Sequence, residues 1–177
     1  MTTAELLAVA VFAEGTYAQA FPTFGSERTG APVAAFCRLD ARPIRTHEPI
    51  TEPDALVVAD LSLFGQVDVL TGLRQPGLLV VNAPAELVPG LQVPDHVAVV
   101  GIDATAIGLR RVGRPVPGAA LLGAFAASTA QVGLPALIQA IEERFPAAIA
   151  RGNADAAREA YQAIVATGRK FGNVAAD

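Results

Sequence analysis

Four consecutive polar residues bracketed by glycines carry the densest chemistry in the chain. Gly25-Ser26-Glu27-Arg28-Thr29-Gly30 sets a hydroxyl, a carboxylate, a guanidinium and a second hydroxyl side by side. Glycine at each end frees the backbone to take positive φ, so the segment reads as a tight loop between two extended, largely apolar arms. Such a loop can hold an anion, with Arg28 as the charge and Ser26, Thr29 and backbone amides as donors. Arg28 fits equally well a pairing with Glu27 or with a carboxylate on another chain. Farther along, Asn82, Asp103 and Thr105 stand at the ends of apolar runs, and ligands gather at the carboxyl ends of strands in open α/β sheets. Asn82 also reads as a turn former before Ala83-Pro84, and Asp103 as a helix cap.

The motifs of familiar chemistries are missing. The sequence holds no Gly-x-Ser-x-Gly, His-Glu-x-x-His, paired-cysteine, P-loop or Gly-x-Gly-x-x-Gly pattern. Its two histidines, His47 and His96, lie far apart with no partner at metal-ligand spacing. Cys37 is the one cysteine, so neither an internal disulfide nor a cysteine-ligated cluster can be built, and a reducing cytoplasm suits the chain. No catalytic residue and no metal ligand is assigned.

The elements that must position the loop follow from periodicity. Thr2 and Glu5 match a capping box opening a helix, in which Leu6, Leu7, Val9, Ala10 and Phe12 read as buried and Gly15 as the stop. An α/β domain ordinarily leads with a strand, so a first strand is expected to be absent or supplied by residues outside this sequence. Thr16 to Phe21 forms one arm of the polar loop and Val33 to Leu39 the other, with a second short strand expected at Ile44 to Thr46. Arg38, Arg42 and Arg45 cluster around one turn, as a solvated hairpin end or as an anion or partner contact. Three apolar runs, 54–60, 78–82 and 97–102, read as buried parallel strands. Helices are expected over 104–111, over 119–131 with hardly a polar face, over 134–145, and from an Asn153 cap onward. The expected fold is an open Rossmann-like, mostly parallel α/β sheet flanked by helices. It forms a single domain over 1–177, with an inserted hairpin region near 17–47 and a helical part over 118–177.

Of 177 residues, 52% are hydrophobic and 17% charged, too apolar for disorder and consistent with some surface covered by a partner. A net charge of −4 argues against a general binder of nucleic acid or anionic membrane. No signal peptide and no apolar run of membrane-spanning length is present, and a soluble cytoplasmic protein is expected.

The stretch Tyr17-Ala-Gln-Ala-Phe-Pro-Thr-Phe-Gly-Ser-Glu-Arg-Thr-Gly-Ala-Pro-Val33 closely resembles the hallmark of the gamma subunit of 2-oxoacid:ferredoxin (acceptor) oxidoreductases. The likeness continues through Arg42-Pro43-Ile44, the Asp54-Ala-Leu-Val-Val strand, Val81-Asn82, Ile102-Asp103-Ala104-Thr105 and Leu122-Gly123-Ala124. Family members usually open with a strand and a Gly-x-Gly-Gly-Gln-Gly loop before the Thr-Ala-Glu-Leu-Leu helix, at which this sequence begins. They often carry proline where Ser26 stands and asparagine where Gly118 stands. The resemblance implies a non-catalytic subunit of a complex that oxidatively decarboxylates a 2-oxoacid to its acyl-CoA. Thiamine diphosphate, magnesium and iron–sulfur clusters would belong to alpha, beta and delta partner subunits, with none bound by this chain alone. It further implies coenzyme A at a subunit interface, with Ser26, Glu27, Arg28, Thr29, Gly30 and Asn82 as the candidate contacts. The rival expectations are an assembly subunit without ligand contact and a free-standing nucleotide-binding α/β domain.

Overall fold

The computed structural model describes residues 3–22 and 32–168. Helix α1 (Thr3–Ala13) leads into strands β1 (Tyr17–Pro22) and β2 (Ala35–Asp40), then β3 (Ala55–Val58), β4 (Gly77–Asn82) and β5 (Val97–Ile102). Four helices follow: α2 (Ala104–Val112), α3 (Gly118–Thr129), α4 (Leu134–Arg144) and α5 (Ala147–Ala166). β1 and β2 pair as an antiparallel ribbon, while β3, β4 and β5 form a parallel sheet in that order.

The parallel sheet is covered differently on its two faces. Leu78, Val80 and Val100 join the large core formed with α1 to α5. Leu79, Val81 and Val97 point to the opposite face, into a smaller cluster with Leu73 and the partly buried Phe64, Leu70 and Val88. That face is covered by two crossovers built around 3-10 turns, Leu61–Gly65 and Ala85–Gly90, not by α-helices. Prolines at 84, 89 and 94 leave too few amide donors in the second crossover for a longer helix.

α1 buries Leu6, Leu7, Ala10 and Val11. Val9 and Phe12, expected inside, are 45% and 65% exposed, because the stripe 6, 7, 10, 11 already fills the inward face of a 3.6-residue helix. Gly15 ends the helix at φ +86°. The Thr2 cap lies outside the described residues.

Two further expectations change. Ile44–Thr46 forms no strand; its neighbourhood is tied to the hairpin by side chains, with Arg38 Nη2 donating to the Glu48 carbonyl at 3.1 Å and Gln19 Nε2 2.8 Å from His47 Nδ1. The last helix begins at Ala147, with Pro146 as its cap residue, and Asn153 lies inside it. Asn153 is 8% exposed and donates from Nδ2 to the Ile149 carbonyl at 2.9 Å. Gly152 lets the helix run on against α2, since a Cβ there would stand 2.6 Å from the Arg111 carbonyl oxygen.

Candidate functional site

Parallel pairing brings the ends of β3, β4 and β5 to one edge, and the polar residues there hold each other. Asn82, the last residue of β4, donates from Nδ2 to the Ala59 carbonyl at 2.9 Å and to Thr105 Oγ1 at 2.8 Å. Its Oδ1 accepts from the Thr105 backbone amide at 3.2 Å. Because an N–H must meet an oxygen, this last bond fixes which way the carboxamide faces. Both amide protons are therefore engaged, and Asn82 ties the end of β3 to the start of α2.

The turns leaving this edge are closed by carboxylates. Asp103 Oδ1 accepts from the Ala106 amide at 2.9 Å at the start of α2, and Asp60 Oδ1 from the Ser62 amide at 2.8 Å after β3. The Ser62 backbone amide, with a further bond from its side chain, holds the Asp60 carboxyl below its ordinary value. A helix N-terminus attracts anions when its amides are open. Here Asn82 and Asp103 already engage the Thr105, Ala106 and Ile107 amides and Asp103 adds negative charge, so the start of α2 is less suited to a phosphate than an open helix N-terminus.

The polar loop belongs to the other sheet. The ribbon runs in register from Tyr17 opposite Asp40 to Pro22 opposite Ala35, and the loop departs from that last rung. Ser26, Glu27, Arg28, Thr29 and Gly30 lie outside the described residues. Asn82 sits on the separate parallel sheet. The side-chain bonds of Gln19, Arg38, His47 and Glu48 escaped the sequence reading, for Gln19 and His47 are 28 residues apart and no local pattern links them.

Other features offer little chemistry. A groove of about 710 Å³ lies between segments 64–70 and 90–92. Its one charged lining residue, Asp68, accepts from the Leu70 amide at 3.3 Å and from Thr71 Oγ1 at 2.6 Å. Burial pushes the Cys37 thiol up to about 12, which opposes the thiolate that cluster ligation needs. Among the described residues no group of three or more His, Cys, Asp or Glu is placed to hold a metal, and no helix is long and apolar enough to cross a membrane.

Residues 1–163 match the family described as pyruvate ferredoxin/flavodoxin oxidoreductase. The pyruvate/ketoisovalerate oxidoreductases common subunit gamma of Thermococcus kodakarensis is 46% identical, over 93% of this chain and 90% of that one. The pyruvate oxidoreductase subunit PORC of Thermotoga maritima superposes with a TM-score of 0.76 at 34% identity, covering 90% of this chain and 86% of that one. A 2-oxoglutarate:ferredoxin oxidoreductase of Magnetococcus marinus, solved with 2-oxoglutarate, coenzyme A and succinyl-CoA bound, shares the fold. Its TM-score is 0.78 at 15% identity, over 98% of this chain and 30% of that one. With a family match over residues 1–163 and a relative 46% identical over 93% of the chain, the chain belongs to the pyruvate ferredoxin/flavodoxin oxidoreductase family, as one of its gamma-type subunits.

Proposed function

We propose that the chain serves, without catalytic groups of its own, in a multi-subunit, thiamine-diphosphate-dependent 2-oxoacid:acceptor oxidoreductase of the cytoplasm. In that complex, alpha, beta and delta type subunits carry the thiamine diphosphate, magnesium and iron–sulfur clusters. This chain helps cover the coenzyme A site, with Arg28 facing a phosphate and Ser26, Glu27, Thr29 and Gly30 shaping the loop around it. Asn82 is the second candidate contact, through the part of Oδ1 that Thr105 does not engage.

The observation that carries this reading is the contrast between the two sheets. The parallel sheet's carboxyl edge is capped by Asp60 and Asp103, whereas the loop with Arg28 leaves the separate ribbon. The same contrast disfavours a free-standing nucleotide-binding domain, which would need the α2 amides open. An assembly subunit without ligand contact is the second reading, favoured by the internal bonds of Asn82.

Arg28→Ala in the complete complex separates them. The first reading expects the KM for coenzyme A to rise about tenfold while the KM for the 2-oxoacid stays within twofold. An unchanged KM for coenzyme A in an intact complex rejects the contact and leaves the assembly role.

A further inference from the structure

Strand alternation sorts the ribbon into two faces. Ala18, Cys37 and Leu39 pack against the helical core, so the rungs Tyr17–Asp40, Gln19–Arg38 and Phe21–Phe36 turn away from it. The Phe21 and Phe36 rings meet with centroids 5.5 Å apart. Next to them Arg38 donates from Nη2 to the Glu48 carbonyl, while its Nη1 and Gln19 Oε1 are shut from solvent with no hydrogen-bond partner. No carboxylate among the described residues pairs with Arg38. Arg42 and Arg45 lie at the same end of the ribbon; Asp40, the one carboxylate between 38 and 47, accepts from the Arg42 amide at 2.8 Å and stands 4.0 Å from the Arg42 Nε, so it partly balances Arg42. The chain is acidic overall, yet here it holds a half-buried guanidinium with one nitrogen shut from solvent and a single carbonyl as acceptor, an arrangement that a nearby anion would favour. Aromatic residues and arginine in one partly covered patch are also the residue types that dominate the energy of protein interfaces.

We propose that this ribbon face docks a catalytic subunit of the same oxidoreductase. The partner segment sets an apolar side chain on the Phe21–Phe36 pair and a carboxylate against Arg38. The inference rests on the reading of the chain as a subunit of that complex and adds which surface meets the partner and with what chemistry.

The test uses the chain co-produced with its catalytic subunits. A photo-crosslinking residue, benzoylphenylalanine, replaces Phe36, and irradiation of the purified complex is expected to join this chain to a catalytic subunit. An adduct with a second copy of this chain, or none in an assembled complex, overturns the proposal. In parallel, Arg38→Gln is expected to weaken assembly about tenfold and to reduce its dependence on salt, with Arg38→Lys recovering part of the loss. An Arg38→Gln complex that assembles within twofold of the original overturns it as well; if that variant does not fold, the crosslink decides. If the unaltered chain assembles with no catalytic subunit, the subunit reading itself fails. If it assembles but these substitutions change nothing, only the docking face fails.

Discussion

Both carboxylate oxygens of Glu14 lie close to the backbone nitrogen of Gly133, at 3.1 and 3.0 Å, across 119 residues of sequence. Gly133 is the cap residue of α4 and offers no side chain of its own. A carboxylate reaching back to the cap residue's amide is half of a capping box, here assembled through tertiary contact from just beyond the end of α1. Glu14→Ala is expected to lower stability by about 1 kcal/mol. Urea denaturation should show a shifted midpoint with an unchanged slope; an unmoved midpoint would mean that water replaces the bond without cost.

The tightest approach in the helical half passes through Gly123. A Cβ there would sit 2.1 Å from the Ala157 carbonyl oxygen and 2.8 Å from its carbon, both backbone atoms of α5. No side-chain adjustment relieves that contact, so α3 and α5 must separate. Gly123→Ala is expected to cost about 3 kcal/mol, read as a large drop in melting temperature. A variant within a few degrees of the original would contradict the close packing.

Glu159 on α5 binds two consecutive arginines of α2, with Arg110 Nη2 at 2.6 Å and Arg111 Nε at 2.5 Å. Bonding to Arg110 and then to Arg111 outweighs desolvation and holds its carboxyl below the ordinary value of 4.5. A depressed carboxylate contributes stability that is present above its unfolded value and lost as pH falls through its folded one. Melting temperatures of the original and Glu159→Gln should therefore differ near pH 7, with the gap shrinking only as pH falls below the ordinary carboxylate value and through the depressed folded one. A gap that does not change with pH would assign the effect to packing.

Asn82→Ala leaves the Ala59 carbonyl and the Thr105 amide and hydroxyl without their partner. A loss of about 1–3 kcal/mol is expected, together with faster hydrogen exchange at Thr105. A destabilised variant whose complex keeps its KM for coenzyme A would assign Asn82 to the scaffold alone.

Cys37 should resist alkylation in the folded chain at pH 8, because burial raises its thiol to about 12. Iodoacetamide is expected to label it only after denaturation. Rapid labelling of the native chain would show that the ribbon separates readily from α1.

The three parallel strands and most of the helices were legible because long apolar runs and 3.6-residue stripes announce themselves within a dozen residues. The loop bracketed by Gly25 and Gly30 was legible as a polar segment and as a family signature, and the family followed from it. What sequence could not show were relations between distant residues. Glu14 capping α4, Gln19 meeting His47 and Asn82 joining β3 to α2 depend on chain segments that only folding brings together. Gly152 is a point of contact that only the neighbouring helix reveals, since a Cβ there would meet the Arg111 carbonyl oxygen. The candidate site divides in the same way. Residue types and spacing pointed to an anion-binding loop at Arg28 and to polar strand ends. Tertiary structure decided that the strand ends are closed by their own caps, since hydrogen-bond donors at a helix start satisfy whichever acceptor the fold places there.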